Sequence, residues 1–152
     1  MPHTVEIPEG LEYVGASLLT VVFVLLGQSH VVGRYRKKAG IEYPQLYAEK
    51  AQAEKSRDAH LFNCAQRATQ HTLEQLPNVL ILTAINGLKY PIPTAAAITL
   101  WSVSRVSFTR GYLTGDPKKR SNLIHVLGQL GLIGMLGSSI YTAYTWVVAG
   151  LK

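Results

Sequence analysis

The chain has 152 residues, enough for one domain, and a formal net charge of +6. Its hydrophobic fraction of 47% would suit a soluble protein if charge were evenly spread, but most of the charge falls in residues 34–58 and 110–120. That unevenness is typical of a multispanning membrane protein and gives nucleic-acid binding no support, while the single cysteine, Cys64, excludes an intrachain disulfide and a cysteine-based metal site.

Four apolar segments predict four transmembrane helices, at about residues 11–33, 61–87, 92–113 and 122–148. At about 1.5 Å per residue, each is long enough to cross about 30 Å of hydrocarbon. The predicted fold is therefore an all-α integral membrane four-helix bundle, with one domain over residues 1–152. The first segment leads into a basic cluster in which Lys37 and Lys38 suit an interfacial anchor, whereas Arg36 could reach a site at the same membrane face.

The second segment carries charged residues inside an apolar helix. Arg67, His71 and Glu74 stand at i, i+4 and i+7, so their side chains project from one face. Because a charged side chain at the bilayer centre costs about 2.5–3.5 kcal/mol even on the gentlest scale, we expect this face to line a bundle interior or a wet cavity. The alternative is that Arg67 and Glu74 simply pair with each other or lie near the interface as ordinary polar residues. Cys64, one turn earlier, is interpreted as a packing residue rather than a redox centre.

The third segment places Arg105, Phe108 and Tyr112 along one face and gives a second candidate for a buried arginine. The fourth segment has glycines at every third position, which allows close approach between helices; they are Gly128, Gly131, Gly134 and Gly137. His30 and His125 are interpreted as polar residues near helix ends.

Basic residues predict the orientation. The connection at 34–57 carries seven Lys or Arg and the loop at 110–120 carries four, so both are expected on the cytoplasmic side. This topology gathers one group of side chains at the cytoplasmic face: Arg36, Arg67, His71, Glu74, Arg105, Tyr112 and Arg120.

The chemistry of this group favours a small zwitterion. Guanidinium groups bind carboxylates through forked hydrogen bonds, and Glu74 can bind an amino group. Glutathione, with two carboxylates and one ammonium, has these features, and its thiol would have to be activated because its pKa of about 8.5 leaves it mostly protonated at neutral pH. The chain shows no cluster of metal ligands, no phosphate loop and no nucleophile triad, so neither a metal nor those enzyme classes are predicted.

The same residues form motifs that resemble a known family. Arg67-x-x-x-His71-x-x-Glu74 is followed by Arg105-Val-x-Phe108-x-x-Gly111-Tyr112-x-Thr114-Gly115-x-Pro117-x-Lys119-Arg120-Ser121. Together with Ile41-Glu42-Tyr43-Pro44 and Phe62-Asn63-Cys64, they are similar to the membrane-associated proteins in eicosanoid and glutathione metabolism, and most of all to the microsomal glutathione transferase type 3 branch. The resemblance covers about residues 11–150.

The resemblance implies a homotrimer in the endoplasmic reticulum or an allied membrane such as the nuclear envelope or the mitochondrial outer membrane. It implies glutathione as co-substrate near the cytosol, and a transferase and peroxidase that acts on lipophilic electrophiles, leukotriene-type epoxides or lipid hydroperoxides. It assigns thiol activation to Arg120 with Tyr112. It assigns glutathione binding to Arg36, Arg67, His71, Glu74, Arg105, Phe108, Tyr112 and Ser121.

Two residues depart from the family pattern, and two other functions stay open. His71 replaces the usual asparagine and Phe108 replaces a common tyrosine, so the imidazole geometry differs and one hydroxyl is lost. One alternative is a non-catalytic membrane adaptor that binds a lipid. The other is a small transport protein that uses Arg67, Glu74 and Arg105 as its polar path.

Overall fold

The structure is a computed structural model and describes residues 7–151. Its five α-helices are α1 (Leu11–Ala39), α2 (Lys50–Lys55), α3 (Arg57–Asn86), α4 (Pro91–Tyr112) and α5 (Leu123–Gly150), and a short 3₁₀ helix covers Pro117–Arg120. Across residues 7–151 there is no β-strand. The all-α prediction is therefore confirmed.

The helix α1 continues past the predicted span through the whole basic cluster. It ends at Ala39, where Gly40 takes a left-handed conformation with φ of 64° and donates its backbone N–H to the carbonyls of the last turn. Glycine adopts this conformation without the penalty that a side chain would cause. The three cations of the last turn, Arg36, Lys37 and Lys38, lie where the negative end of the helix dipole favours them.

The connection between the first two long helices contains the short helix α2, where the sequence predicts only a polar connection. A capping box forms there, because the Glu49 side chain accepts from the third backbone N–H of the helix while the Gln52 side chain accepts from the Glu49 backbone. Next, Ser56 caps α3 by accepting from the backbone N–H of Ala59. The helix α3 therefore begins at Arg57, four residues ahead of the predicted span, and continues through Pro77 to Asn86.

The bundle buries many polar side chains beside its apolar core, and many of its large apolar side chains lie on the outer surface. Gln28, Thr72 and Asn86 are buried, whereas Phe23 and Ile133 are 70% and 63% exposed. Buried polar groups with hydrogen-bond partners and an apolar outer surface are what a lipid environment selects. Two helices, α1 and α5, are long and apolar enough by length and composition to cross a membrane. The limits of the four spans in the bilayer remain predictions.

Close contacts between helices fix the bundle. A side-chain carbon added at Gly128 of α5 would overlap the Ser104 side chain of α4, whereas Gly134 and Gly137 have open space around them. At one end of the bundle, the Asn86 amide donates to the Met135 carbonyl at 2.9 Å. At the opposite end, the last turns of α1 and α4 meet the first turns of α3 and α5, and the candidate site lies there.

Candidate functional site

An ion pair on α3 forms the outer part of the site. The Arg67 Nη1 atom lies 2.7 Å from Glu74 Oε1, and the two side chains are 42% and 48% exposed. The helix places them two turns apart on one face, as their spacing predicts. An ion pair this exposed contributes little to stability. Both groups therefore keep hydrogen-bonding capacity that a ligand can use.

A tyrosine from the connection joins this pair. The Tyr47 hydroxyl donates a short hydrogen bond to Gln70 Oε1, and Gln70 lies between Arg67 and Glu74 along the same helix face. Burial raises the pKa of the Tyr47 hydroxyl above its ordinary value, although the nearby Arg67 charge opposes the shift. The phenol is therefore a neutral hydrogen-bond donor at neutral pH.

Arg36 holds the connection that carries Tyr47. Its guanidinium lies between the rings of Tyr43 and Phe62, 4.3 and 4.6 Å from their centroids, and Nη1 donates to the Gln45 carbonyl at 2.7 Å. The side chain is 8% exposed. The contacts of Arg36 among the described residues are thus with the connection and Phe62, and it acts there as a positioning residue for the segment before Tyr47.

A second anchor holds the same segment against α3. The Asn63 side chain accepts from the backbone N–H of Ala48 at 2.7 Å and donates to the Ala48 carbonyl at 2.9 Å. Such a paired contact fixes the backbone one residue after Tyr47. Tyr47 is therefore held beside the ion pair by Arg36 at Gln45, two residues before it, and by Asn63 at Ala48, one residue after it.

A buried arginine forms the inner part of the site. Arg105 is 0% exposed, its Nη1 donates to His71 Nδ1 at 3.1 Å, and its Nη2 donates to His125 Nδ1. Because arginine can only donate, both Nδ1 atoms must accept, and each imidazole is neutral with its proton on Nε2. Among residues 7–151, the Arg105 Nε has no hydrogen-bond partner and no carboxylate pairs with this cation. The inner site thus holds an uncompensated positive charge.

An aromatic layer connects the inner and outer parts. The Phe108 ring stacks on His71 at 4.9 Å, lies 4.8 Å from His125 and meets Tyr112 edge-on at 5.1 Å. The Arg105 guanidinium lies 4.5 Å from the centre of the Phe108 ring. The phenyl face therefore takes part in holding the buried cation.

Arg120 stands at the exposed edge of this layer. Its guanidinium lies 5.6 Å from the Tyr112 ring and donates to the Pro117 carbonyl at 2.7 Å. The side chain is exposed, so it can leave this carbonyl for a ligand at small cost. Ser121 follows the 3₁₀ helix and is exposed, with its backbone N–H bonded to the Lys118 carbonyl.

The loop that carries Arg120 packs directly on α4. A side-chain carbon added at Gly111 would lie 2.7 Å from the Arg120 Cα atom and overlap the Lys119 carbonyl. On the other side, the His60 ring contacts the Gly115 carbonyl at 2.9 Å and Cys64 Sγ at 3.7 Å. Cys64 is buried, and these contacts are those of a packing residue.

We expect Gly111→Ala to displace the loop at Lys119 and Arg120 and to lower the free energy of unfolding by about 1–3 kcal/mol, the usual cost of overpacking. Thermal unfolding of the detergent-solubilised protein measures this. The control is Gly137→Ala, which meets open space in a helix and should be neutral or slightly stabilising. An equal response of the two variants would contradict the close approach at Gly111.

The structure brings most of the candidate residues into two adjoining groups. Arg67 and Glu74 form the outer pair, while His71, Arg105 and Phe108 form the inner cluster, and Tyr112 with Arg120 lies at its edge. Sequence reasoning missed Tyr47 and Gln70 and treated His125 as a helix-end residue. Gln70 could have been found from its spacing, because a residue three after Arg67 and four before Glu74 lies on the same helix face.

The arrangement suits an anionic ligand that also carries an ammonium group. Arg67, Arg120 and the buried Arg105 supply positive charge, and Glu74 supplies the acceptor for a cation. Among residues 7–151 there is no group of three or more His, Cys, Asp or Glu side chains that could hold a metal ion. Residues 14–141 match the model of the MAPEG family.

Proposed function

The chain belongs to the MAPEG family of membrane proteins, and from this premise we propose that it is a membrane-bound glutathione transferase and peroxidase. The family includes glutathione transferases, peroxidases and proteins of eicosanoid synthesis. The enzyme would activate the glutathione thiol and join it to lipophilic electrophiles, including leukotriene-type epoxides, or reduce lipid hydroperoxides. The motifs quoted above support the type 3 branch of the microsomal glutathione transferases.

One observation carries this proposal: His71, on the same face of α3 as the half-exposed Arg67–Glu74 pair, bonds a buried cation that has no acid partner among the described residues. Burying an uncompensated charge opposes folding, so an anionic ligand is the natural counter-charge. In our assignment, Arg67 and Arg120 bind glutathione carboxylate or thiolate, and Glu74 binds its ammonium group. Tyr47 adds a hydroxyl that partly replaces the one lost at Phe108.

Thiol activation is assigned to Arg120 with Tyr112. A guanidinium placed beside the sulfur stabilises the thiolate, and the thiol proton passes to water. With an epoxide, the thiolate forms a C–S bond as the C–O bond breaks, and the alkoxide takes a proton. With a hydroperoxide, two glutathione molecules are oxidised to a disulfide while the hydroperoxide becomes an alcohol and water. The electrophile enters from the bilayer.

The setting of the enzyme is also part of the proposal. The basic connection and the basic loop support a cytosolic site in the endoplasmic reticulum membrane. The polar outer face of α3, with Gln70, Glu74 and Asn78 exposed, supports a homotrimer in which neighbouring subunits cover it.

A non-catalytic adaptor that binds a lipid is the second candidate. The observation that favours it is Phe108, which occupies the centre of the aromatic layer without a hydroxyl. Some family members are non-catalytic. An adaptor would show no turnover with any electrophile, even when glutathione is saturating.

We expect Arg67→Ala and Glu74→Gln each to weaken glutathione binding about tenfold, because each removes a charged partner of the ligand. Isothermal titration of the purified protein with glutathione measures this. The matched control is Arg57→Ala, an exposed arginine in the first turn of the same helix, which should bind as wild type does. If all three variants bound glutathione with the same affinity, the Arg67–Glu74 pair would not be part of the glutathione site.

A further inference from the structure

One side chain of the candidate site has no role in the proposed function. His125 lies in the first turn of α5, where its backbone N–H donates to the Asn122 side chain at 3.0 Å. This cap joins the turn directly to the loop that carries Arg120. The His125 ring is half-buried and lies 4.8 Å from the centre of the Phe108 ring. His125 is therefore held firmly beside the aromatic layer.

The two nitrogens of the His125 ring have different surroundings. Nδ1 accepts from the buried guanidinium of Arg105, so the proton of the neutral ring is on Nε2. Within residues 7–151, Nε2 has no hydrogen-bond partner, and it is not one of the buried side-chain atoms that lack one. The two nitrogens of an imidazole point in diverging directions. Because Nδ1 is turned towards the buried Arg105, the free N–H of His125 is turned away from the bundle interior.

The apolar outer surface of α5 begins beside this donor. The residues on either side of it, Ile124 and Val126, are exposed and belong to the face that a lipid environment selects. In the other direction, a single aromatic ring separates His125 from Tyr112. The donor therefore lies between the surface from which a lipophilic electrophile arrives and the residues proposed to hold the thiolate.

Arg105 makes this N–H a stronger donor. A cation that donates to one nitrogen of a neutral imidazole draws electron density from the ring, so the N–H of the other nitrogen becomes more polar. A fixed donor of this kind stabilises negative charge as it develops on an oxygen, and the imidazole does not have to give up its proton. Both reactions of the proposed function develop such a charge on the electrophile.

We propose that His125 is a catalytic residue that donates a hydrogen bond from Nε2 to the oxygen of the electrophile, with Arg105 as its positioning residue. This inference rests on the proposed function. With an epoxide, the thiolate forms the C–S bond as the C–O bond breaks. The negative charge passes to the oxygen beside His125, and the alkoxide then takes a proton from water.

The same donor serves the reduction of a hydroperoxide. The thiolate takes the terminal hydroxyl to give glutathione sulfenic acid, and the O–O bond breaks. The leaving alkoxide accepts the hydrogen bond from His125 and then takes a proton from water. A second glutathione reduces the sulfenic acid, which gives the disulfide and water.

The first test compares three substrates that share an octyl chain: epoxyoctane, octyl hydroperoxide and octyl iodide. His125→Phe keeps a ring against Phe108 but removes the donor. Its turnover number with the epoxide and the hydroperoxide should fall about thirtyfold, the effect of one hydrogen bond to a charged oxygen. Iodide leaves without charge on an oxygen, so turnover of octyl iodide should stay within about threefold of wild type. His125→Gln should recover most of the loss, because an amide accepts from Arg105 with its oxygen and donates with its nitrogen.

The matched control is His30→Phe, the same exchange at an exposed histidine of α1, which should act as wild type does on all three substrates. Three results would each overturn the role of His125 while the transferase remained. They are an equal loss with octyl iodide in His125→Phe, no loss with the two oxygen substrates, and the same loss in His125→Gln. Failure of the wild-type protein to turn over any of the three substrates would instead overturn the proposed function, and this inference with it.

A second test examines the tautomer without any turnover. Nitrogen NMR of the histidine-labelled, detergent-solubilised protein distinguishes the two ring nitrogens, and the signal of His125 is the one that is absent from His125→Gln. At neutral pH, the ring should be neutral with its proton on Nε2. A proton on Nδ1 would show that Arg105 does not donate to this ring and would overturn the proposed positioning.

Discussion

Replacing Arg120 with alanine is expected to lower the turnover number about a hundredfold or more, the usual loss when one preorganised donor to a developing charge is removed. Arg120 is exposed beside Tyr112, and its hydrogen bond to its own loop leaves guanidinium donors free for a sulfur anion. We assign Arg120 to stabilising the thiolate more than to holding the ligand. Glutathione affinity should therefore stay within about threefold of wild type.

Steady-state kinetics with a lipophilic electrophile and saturating glutathione measure this effect. The control is Lys119→Ala, which removes the neighbouring exposed cation of the same loop and should leave turnover unchanged. A hundredfold loss confined to the Arg120 variant supports the assignment. Equal turnover in wild type and the Arg120 variant would show that another group activates the thiol.

Replacing Arg105 with methionine is expected to raise thermal stability while it weakens glutathione binding. The guanidinium is fully buried between two neutral imidazoles, and no acid pairs with it among the described residues. Replacing even a paired buried charge by apolar groups of similar volume is often stabilising, by about 1–4 kcal/mol, and Arg105 has no acid partner among residues 7–151 to lose. The two histidines that lose its hydrogen bonds are only partly buried, so water can replace it as their donor. Two unit charges about 10 Å apart in an effective dielectric of about 20 interact by about 1.7 kcal/mol, so affinity for the anionic ligand should fall about tenfold.

Thermal unfolding and glutathione titration of the same preparation separate the two effects. The comparison variant Arg105→Lys keeps the charge and should keep most of the affinity, although it loses the fork that bonds both histidines. A fall in both stability and affinity in the methionine variant would show that Arg105 is mainly a packing residue. A rise in stability with unchanged glutathione affinity would show that Arg105 is too far from the ligand to affect its binding.

The helices could be predicted from the sequence because each one is marked locally. The four long helices contain long apolar segments, which favour helices over strands. Residues that commonly start or stop helices lie at their ends: Gly40, Ser56, the turn before Pro91, and Asn122. The helix α2 was not predicted, because its capping box lies in a segment without apolar periodicity. The extension of α1 to Ala39 was also missed, since hydropathy marks where an apolar segment ends but not where a helix ends.

The candidate site divides in the same way. The shared face of Arg67 and Glu74 follows from helix geometry, so their spacing predicts it, and the structure shows that the two residues also pair with each other. Tyr47 and His125 reach the site only through tertiary packing, and local patterns carry no signal of that. For Arg36 the sequence predicts a residue free to bind a ligand. In the structure its guanidinium instead contacts the connection, at the Gln45 carbonyl and the Tyr43 ring.

The two departures from the family pattern lie in one cluster. The His71 ring stacks on Phe108, which also contacts the ring of His125, and Arg105 bonds both histidines. The His71 imidazole accepts from arginine at one nitrogen and stacks its aromatic face on the phenyl ring. The two substitutions are therefore physically compatible with each other.

The most direct test is titration of the purified, detergent-solubilised wild-type protein with glutathione, following thiolate absorbance in the ultraviolet at neutral pH. The account predicts a saturable thiolate signal, because a bound thiol beside Arg120 ionises below its ordinary pKa. For Arg120→Ala the absorbance signal should be absent, while isothermal titration should still show glutathione binding. Absence of any saturable binding by the wild-type protein would contradict the central claim and favour the lipid-binding adaptor.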